Sequence, residues 1–167
     1  PITLPRERPI TLPKEAIERI KAGEQTIVLT PIEPQPQRLD DAFDGTWGWP
    51  NGDYPRYDDL TMASAIREDG KWRDGDLLRV FQARGKSHLT IINLILRLTD
   101  ARPQLLPWLT DEDARASGHQ GGHDSIPGYQ FSATALEHLR YAWQDQHPNI
   151  PWGDAWVWRL ELHPLNP

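Results

Sequence analysis

Three sets of side chains in this chain could do chemistry. Trp47, Trp49, Tyr54 and Tyr57 crowd one stretch, and their faces could stack a planar ligand. The competing reading is that they pin their loop to the core, as Trp and Tyr do in most loops that carry them. Arg79, Arg84 and Lys86 form a compact basic cluster that could reach phosphate. His119-Gln120-Gly121-Gly122-His123-Asp124 sets two histidines four apart beside an aspartate. That spacing holds a metal on a helix, where the two share a face, and the glycines deny a helix here. No metal site and no cofactor are expected. His88 with Asp76, or His119 with Asp124, could act as the acid-base pair of an enzyme, but nothing in the spacing singles out either.

The elements that must position these groups are built around residues 72–100. Leu77 to Ala83 and His88 to Thr99 are apolar and β-branched, and Arg84-Gly85-Lys86-Ser87 between them can reverse the chain. The pattern predicts an antiparallel strand pair entered through the turn Asp74-Gly75-Asp76. The second run has too many adjacent apolar residues for one wet face, so it should be buried on both faces or bent by a bulge. Upstream, a helix is expected from Pro13 to Ala22 with Gly23 after its end, then a strand from Gln25 to Thr30 ended by Pro31. Leu60 to Ile66 reads as a helical turn or an edge strand. Downstream, Thr110 and Asp113 make a capping box for a short helix stopping near Gly118. Ser132 is expected to cap a helix from Ala133 to about Gln146, with Ala135, Leu136, Leu139, Ala142 and Trp143 as its apolar stripe. The last strand, Ala155 to His163, places Trp156, Trp158, Leu160 and Leu162 on one face and Arg159, Glu161 and His163 on the other.

Composition narrows the class. The 167 residues, 38% of them hydrophobic, suit one domain. Residues 1–8 read as an arm, 9–163 as the domain, and about 31–59 as a long Pro- and Trp-rich loop within it. The absence of cysteine excludes disulfides and thiolate metal sites. No signal-like segment or apolar run of membrane length is seen, so a cytoplasmic protein is expected, with no membrane partner. A net charge of −6, from 18 Lys plus Arg against 24 Asp plus Glu, argues against a broad grip on duplex nucleic acid. The element order is neither alternating βαβ nor all-β. An α+β fold is expected, a small mixed β-barrel flanked by about three helices.

Several motifs in sequence order carry a resemblance. Ala22-Gly23-Glu24-Gln25-Thr26 follows the first helix; then come Asp74-Gly75-Asp76-Leu77-Leu78-Arg79-Val80 and Leu109-Thr110-Asp111-Glu112-Asp113-Ala114-Arg115; Trp143 and Trp156-Val157-Trp158-Arg159-Leu160-Glu161-Leu162 close the series. Together they resemble the ASCH domain, especially its phage and prophage branch, over residues 8–163. The resemblance implies a PUA-like barrel with a cleft between barrel and helices, proposed to bind RNA or nucleotides; some members resemble acetylcytidine amidohydrolases. Where that family carries lysine, then threonine or glutamate, then arginine, this chain has Gln25, Val28 and Thr30. Ser117 stands where an acid is expected. An amidohydrolase needs a nucleophile, a base and a group that polarises the carbonyl, and the matching positions offer none.

The function expected is therefore a non-catalytic ASCH-like module. Its ligand would be a nucleobase, a nucleotide or short single-stranded RNA, held by Gln25, Thr26 and Thr30, the four aromatics above, Asp76 and Gln82, with Arg79, Arg84 and Lys86 on phosphate. Two alternatives stand beside it: a divergent nucleoside-processing hydrolase, and a phage-derived module that binds a protein partner through its tryptophan-rich loop.

Overall fold

A computed structural model describes residues 4–39, 46–50, 56–84 and 88–165. Its elements are β1 (Glu7–Leu12), α1 (Lys14–Lys21), β2 (Ile27–Pro31), β3 (Gln37–Leu39), β4 (Thr46–Gly48), α2 (Asp59–Glu68), β5 (Leu77–Arg84), β6 (His88–Leu105), α3 (Asp111–Ala116), α4 (Ala135–Gln146) and β7 (Trp156–Pro164). Five strands form one mixed sheet in the order β1-β5-β6-β7-β2, with β1 parallel to β5 and the other neighbours antiparallel. β3 and β4 pair as a separate ribbon. The fold is α+β, as expected, with β1 and β2 at the two ends of the sheet order.

The β5–β6 pair is the expected spine, and β6 shows why its sequence looked too apolar for one face. Leu94, Leu96 and Leu98 point into the core; a bulge between Leu98 and Asp100 then shifts the phase, so Ala101 and Leu105 point inward instead. Leu89 and Ile91 add apolar residues that stay exposed. The strand buried on both faces is β7. Trp156, Trp158, Leu160 and Leu162 fill the main core with Ile17 and Ile20 of α1 and Met62 and Ile66 of α2. Val157 meets a second cluster under α3 and α4. Arg159 was expected on an open face, but α3 covers it: its guanidinium donates to Asp113 Oδ1 at 2.9 Å.

Other expectations shift for identifiable reasons. Glu7 and Arg8 are strand rather than arm, pairing with Leu77 and Leu78. Arg6 just before them is anchored by two hydrogen bonds to Asp76, at 3.1 and 2.8 Å. The long loop contains the β3–β4 ribbon. The stretch after it is a ten-residue helix, α2, because Asp58 caps it by accepting from the Thr61 N–H at 2.8 Å. α4 starts two residues later than expected: Thr134, not Ser132, forms the capping box with Glu137, while Ala133 is tied to Gly122 by backbone hydrogen bonds. β2 begins at Ile27: the Thr26 carbonyl already accepts from Leu162 of β7, but the N–H groups of Gln25 and Thr26 go to the carbonyls of Arg19 and Ala116. Pro31 is accommodated as its last residue, at a position whose N–H would face away from β7.

Candidate ligand cleft

α1, β2, α3 and α4 converge on a cleft of about 190 Å³. α1 ends with Ala22 and Gly23, and the chain folds back so that the N–H groups of Glu24 and Gln25 both donate to the carbonyl of Arg19. The Thr26 N–H reaches the carbonyl of Ala116 at the end of α3. These backbone bonds bring Arg19, Gln25 and Ser117 to one place. The buried Gln25 side chain accepts from Arg19 Nε at 2.9 Å and donates to the Ile27 carbonyl at 2.9 Å, so its amide holds the guanidinium in position. Gly118, at φ 95°, lets the chain pass close: a Cβ there would stand 2.6 Å from Arg19 Nε and 2.9 Å from Gln25 Oε1.

His119 lies beside this pair. The Ser117 hydroxyl donates to the Ala114 carbonyl at 2.8 Å and sits 3.2 Å from His119 Nδ1. Whether Nδ1–H donates to Oγ or Oγ–H donates to Nδ1 is set by the imidazole tautomer. Burial, reinforced by the nearby His138 and Arg19, pushes the His119 pKa down to about 4. The ring is therefore neutral at pH 7. His138 stands edge-on, with ring centroids 5.0 Å apart, and accepts from the Gly121 N–H at 3.3 Å.

The walls are apolar and aromatic. Leu12, Pro13 and Ala16 line one side, and Leu139, Ala142 and Trp143 of α4 the other, with Val28 and Leu29 of β2 between them. Trp143 is fixed by its Nε1–H donating to the Ile150 carbonyl at 3.1 Å, and His147 packs on it with ring centroids 4.3 Å apart. Burial lowers the His147 pKa, opposed by Glu33. Among the described residues no carboxylate lines the cleft and none pairs with Arg19. A chain of net charge −6 thus keeps an arginine without an anionic partner in a small cleft beside an aromatic wall.

Of the residues expected to hold ligand, only Gln25 lines this cleft. Trp47 is wholly buried, donating through Nε1 to Asp59 Oδ1 at 2.7 Å and meeting Trp156 edge-on at 5.5 Å. Trp49 and Tyr57 pack against the same core, so these three pin their loop and form no open wall. Asp76 is buried and consumed by Arg6 and the Arg73 N–H; it is not partnered with His88. Arg79 pairs with Glu7 at 2.8 Å on β5, and Arg84 is exposed at the end of that strand. Gln82 and Thr30 are half-buried outside the cleft, and Thr26 takes part through its backbone. Tyr54 and Lys86 lie outside the described residues. His119 pairs with Ser117 rather than Asp124, and among the described residues no three metal-ligating side chains converge. Sequence reasoning missed Arg19, Trp143 and His147 as cleft residues. The available signal was that Arg19 occupies the last turn before the Gly23 reversal.

No family model and no curated protein match the chain. Among solved structures it is similar to the hypothetical protein PH0355, with 15% identity, coverage of 95% of this chain and 99% of that one, and a TM-score of 0.42. It is also similar to protein EF3133 from Enterococcus faecalis V583, labelled DUF984, with 10% identity, coverage of 99% and 82%, and a TM-score of 0.46. Likenesses this distant carry no functional inference.

Proposed function

We propose that this protein is an ASCH-like, PUA-type binding module whose cleft takes a single nucleobase or nucleotide without hydrolysing it. The observation that carries the reading is Arg19, held by Gln25 and Gly118 in a cleft without carboxylates beside the Trp143–His147 wall. The half-buried His147 ring, packed on the buried Trp143, offers an aromatic face to a base, and an arginine without an anionic partner among the described residues suits a carbonyl or phosphate oxygen. The volume, well below the roughly 300 to 1,000 Å³ of drug-sized pockets, suits one heterocycle rather than a stacked run of bases. Further support comes from Gln25, Val28 and Ser117: the three residues at the resemblance's lysine, threonine and glutamate positions all line this one cleft. Gln25 and Val28 supply neither nucleophile nor base, and the Ser117 hydroxyl is directed at the Ala114 carbonyl, 2.8 Å away, which favours binding over hydrolysis.

The test is titration of the protein with nucleosides and nucleoside monophosphates, followed by NMR shifts of the Trp143 indole and the Gly118 amide. Binding should be weakened about tenfold or more by Arg19→Gln, since a charge-assisted hydrogen bond is worth about 1.5 to 3 kcal/mol. Shifts confined to the β5–β6 hairpin, or no shifts at millimolar ligand, would overturn the assignment.

A further inference from the structure

Resting on that reading of the cleft, we infer that His119 is its specificity-determining acceptor. With Arg19 it reads a ligand edge that sets an N–H donor beside an acceptor, so the cleft takes neutral N-heterocycles with that donor free and rejects the same ring once the donor is alkylated.

The argument follows the hydrogen-bond chain. Ser117 Oγ stands nearer the Ala114 carbonyl, at 2.8 Å, than His119 Nδ1, at 3.2 Å; with its proton on the shorter contact, the longer one is made by a proton on Nδ1. Nε2 is then the lone pair of a ring that lines the cleft together with Arg19, Gln146 and His147. The groups facing the ring are Ser117, Arg19 of α1 and His138 of α4, and no acid is among them. Nothing nearby favours imidazolium, so the acceptor persists through the neutral range. Arg19 spends Nε on Gln25 and keeps both terminal nitrogens for an acceptor. A rigid donor and a rigid acceptor side by side complement a base edge and select against cationic ligands. A ligand group that leaves Nε2 facing a methyl strands a buried lone pair, at a cost that corresponds to about tenfold or more in affinity.

Uridine and 3-methyluridine are the probes, titrated against the wild-type protein and against His119→Phe and His119→Gln. Uridine should bind the wild type at least about tenfold tighter than its methylated form. That ratio should collapse in His119→Phe, which keeps a planar ring and loses the acceptor, and should survive in part in His119→Gln, whose amide oxygen can accept. A purely steric effect of the methyl group, or a merely structural role for His119, would leave the ratio unchanged in His119→Phe and overturn the inference. Imidazole nitrogen NMR of the wild type provides a measurement independent of any variant's folding: a proton on Nδ1 is expected, and one on Nε2 overturns the inference. If uridine and 3-methyluridine bind equally, the cleft reading stands and the acceptor reading falls. If neither binds at millimolar concentration, both fall.

Discussion

Replacing Gly118 by alanine should cost more than the same change at Gly23, and the difference isolates the contact that builds the cleft. Both glycines have positive φ, 77° at Gly23 and 95° at Gly118, so alanine at either pays roughly 1 to 2 kcal/mol for a left-handed backbone. Both changes also stiffen the unfolded chain to a similar extent, which cancels in the comparison. At Gly23 a new Cβ meets nothing within 4 Å. At Gly118 it meets Arg19 Nε at 2.6 Å and Gln25 Oε1 at 2.9 Å, below any tolerable separation. Arg19 is the longer and more mobile of the two and would swing away, giving up its hydrogen bond to Gln25. That charge-assisted bond is worth about 1.5 to 3 kcal/mol. Gly118→Ala should therefore cost about 2.5 to 5 kcal/mol in all, against about 1 to 2 for Gly23→Ala. Urea unfolding followed by tryptophan fluorescence measures both. A difference below about 0.5 kcal/mol, with unchanged slopes, would refute the claim that Gly118 supports the Arg19–Gln25 pair.

Three further outcomes are expected. Trp158→Ala should cost roughly 3 to 5 kcal/mol, because the ring is buried in the main core; a loss below about 1 kcal/mol would mean that its packing is misassigned. Stability should fall on acidification from about pH 6.5 towards 4: His119, His138 and His147 all have lowered folded pKa values, so the unfolded chain takes up protons first, and His119 alone should cost about 2 to 3 kcal/mol by pH 4.5. A urea midpoint unchanged between pH 7 and 4.5 would contradict that. Acetylated cytidine should not be turned over above the rate without enzyme, and turnover that survives Gln25→Ala would place hydrolytic chemistry elsewhere in the molecule.

What was legible in the sequence was whatever one period or one cap decides. The alternation in β7 assigned Trp156, Trp158, Leu160 and Leu162 to the core because burial repeats every second residue along a strand. Thr110 and Asp113 announced α3 because a capping box is a local device. The misreadings came where a distant element intervenes. Arg159 looks like a solvent-facing residue until α3 supplies Asp113, forty-six positions earlier in the chain, as its partner. Ser132 and Thr134 are equally good caps on paper; the choice falls to Thr134 because Glu137 stands three residues on and Gly122 holds Ala133 in a bridge.

The candidate site was less legible because its parts are common residues with uncommon neighbours. The aromatic cluster drew attention through density, but dense tryptophans bury each other, and Trp47 and Trp156 meet edge-on inside the core. Arg19 is one of several arginines, and only the closure of the chain after Gly23 onto the end of α3 places it against Gln25 in the cleft. His119 reads as a loop histidine until the fold sets it 3.2 Å from Ser117 Oγ and edge-on to His138. The two positions at which the chain differs from the ASCH pattern it resembles, Gln25 and Ser117, fall in this same place. Gln25 orients Arg19 and Ser117 contacts His119, so these two positions set one cationic donor and one neutral imidazole on the same cleft. On the function proposed above, that pairing is what selective binding of a small heterocycle uses.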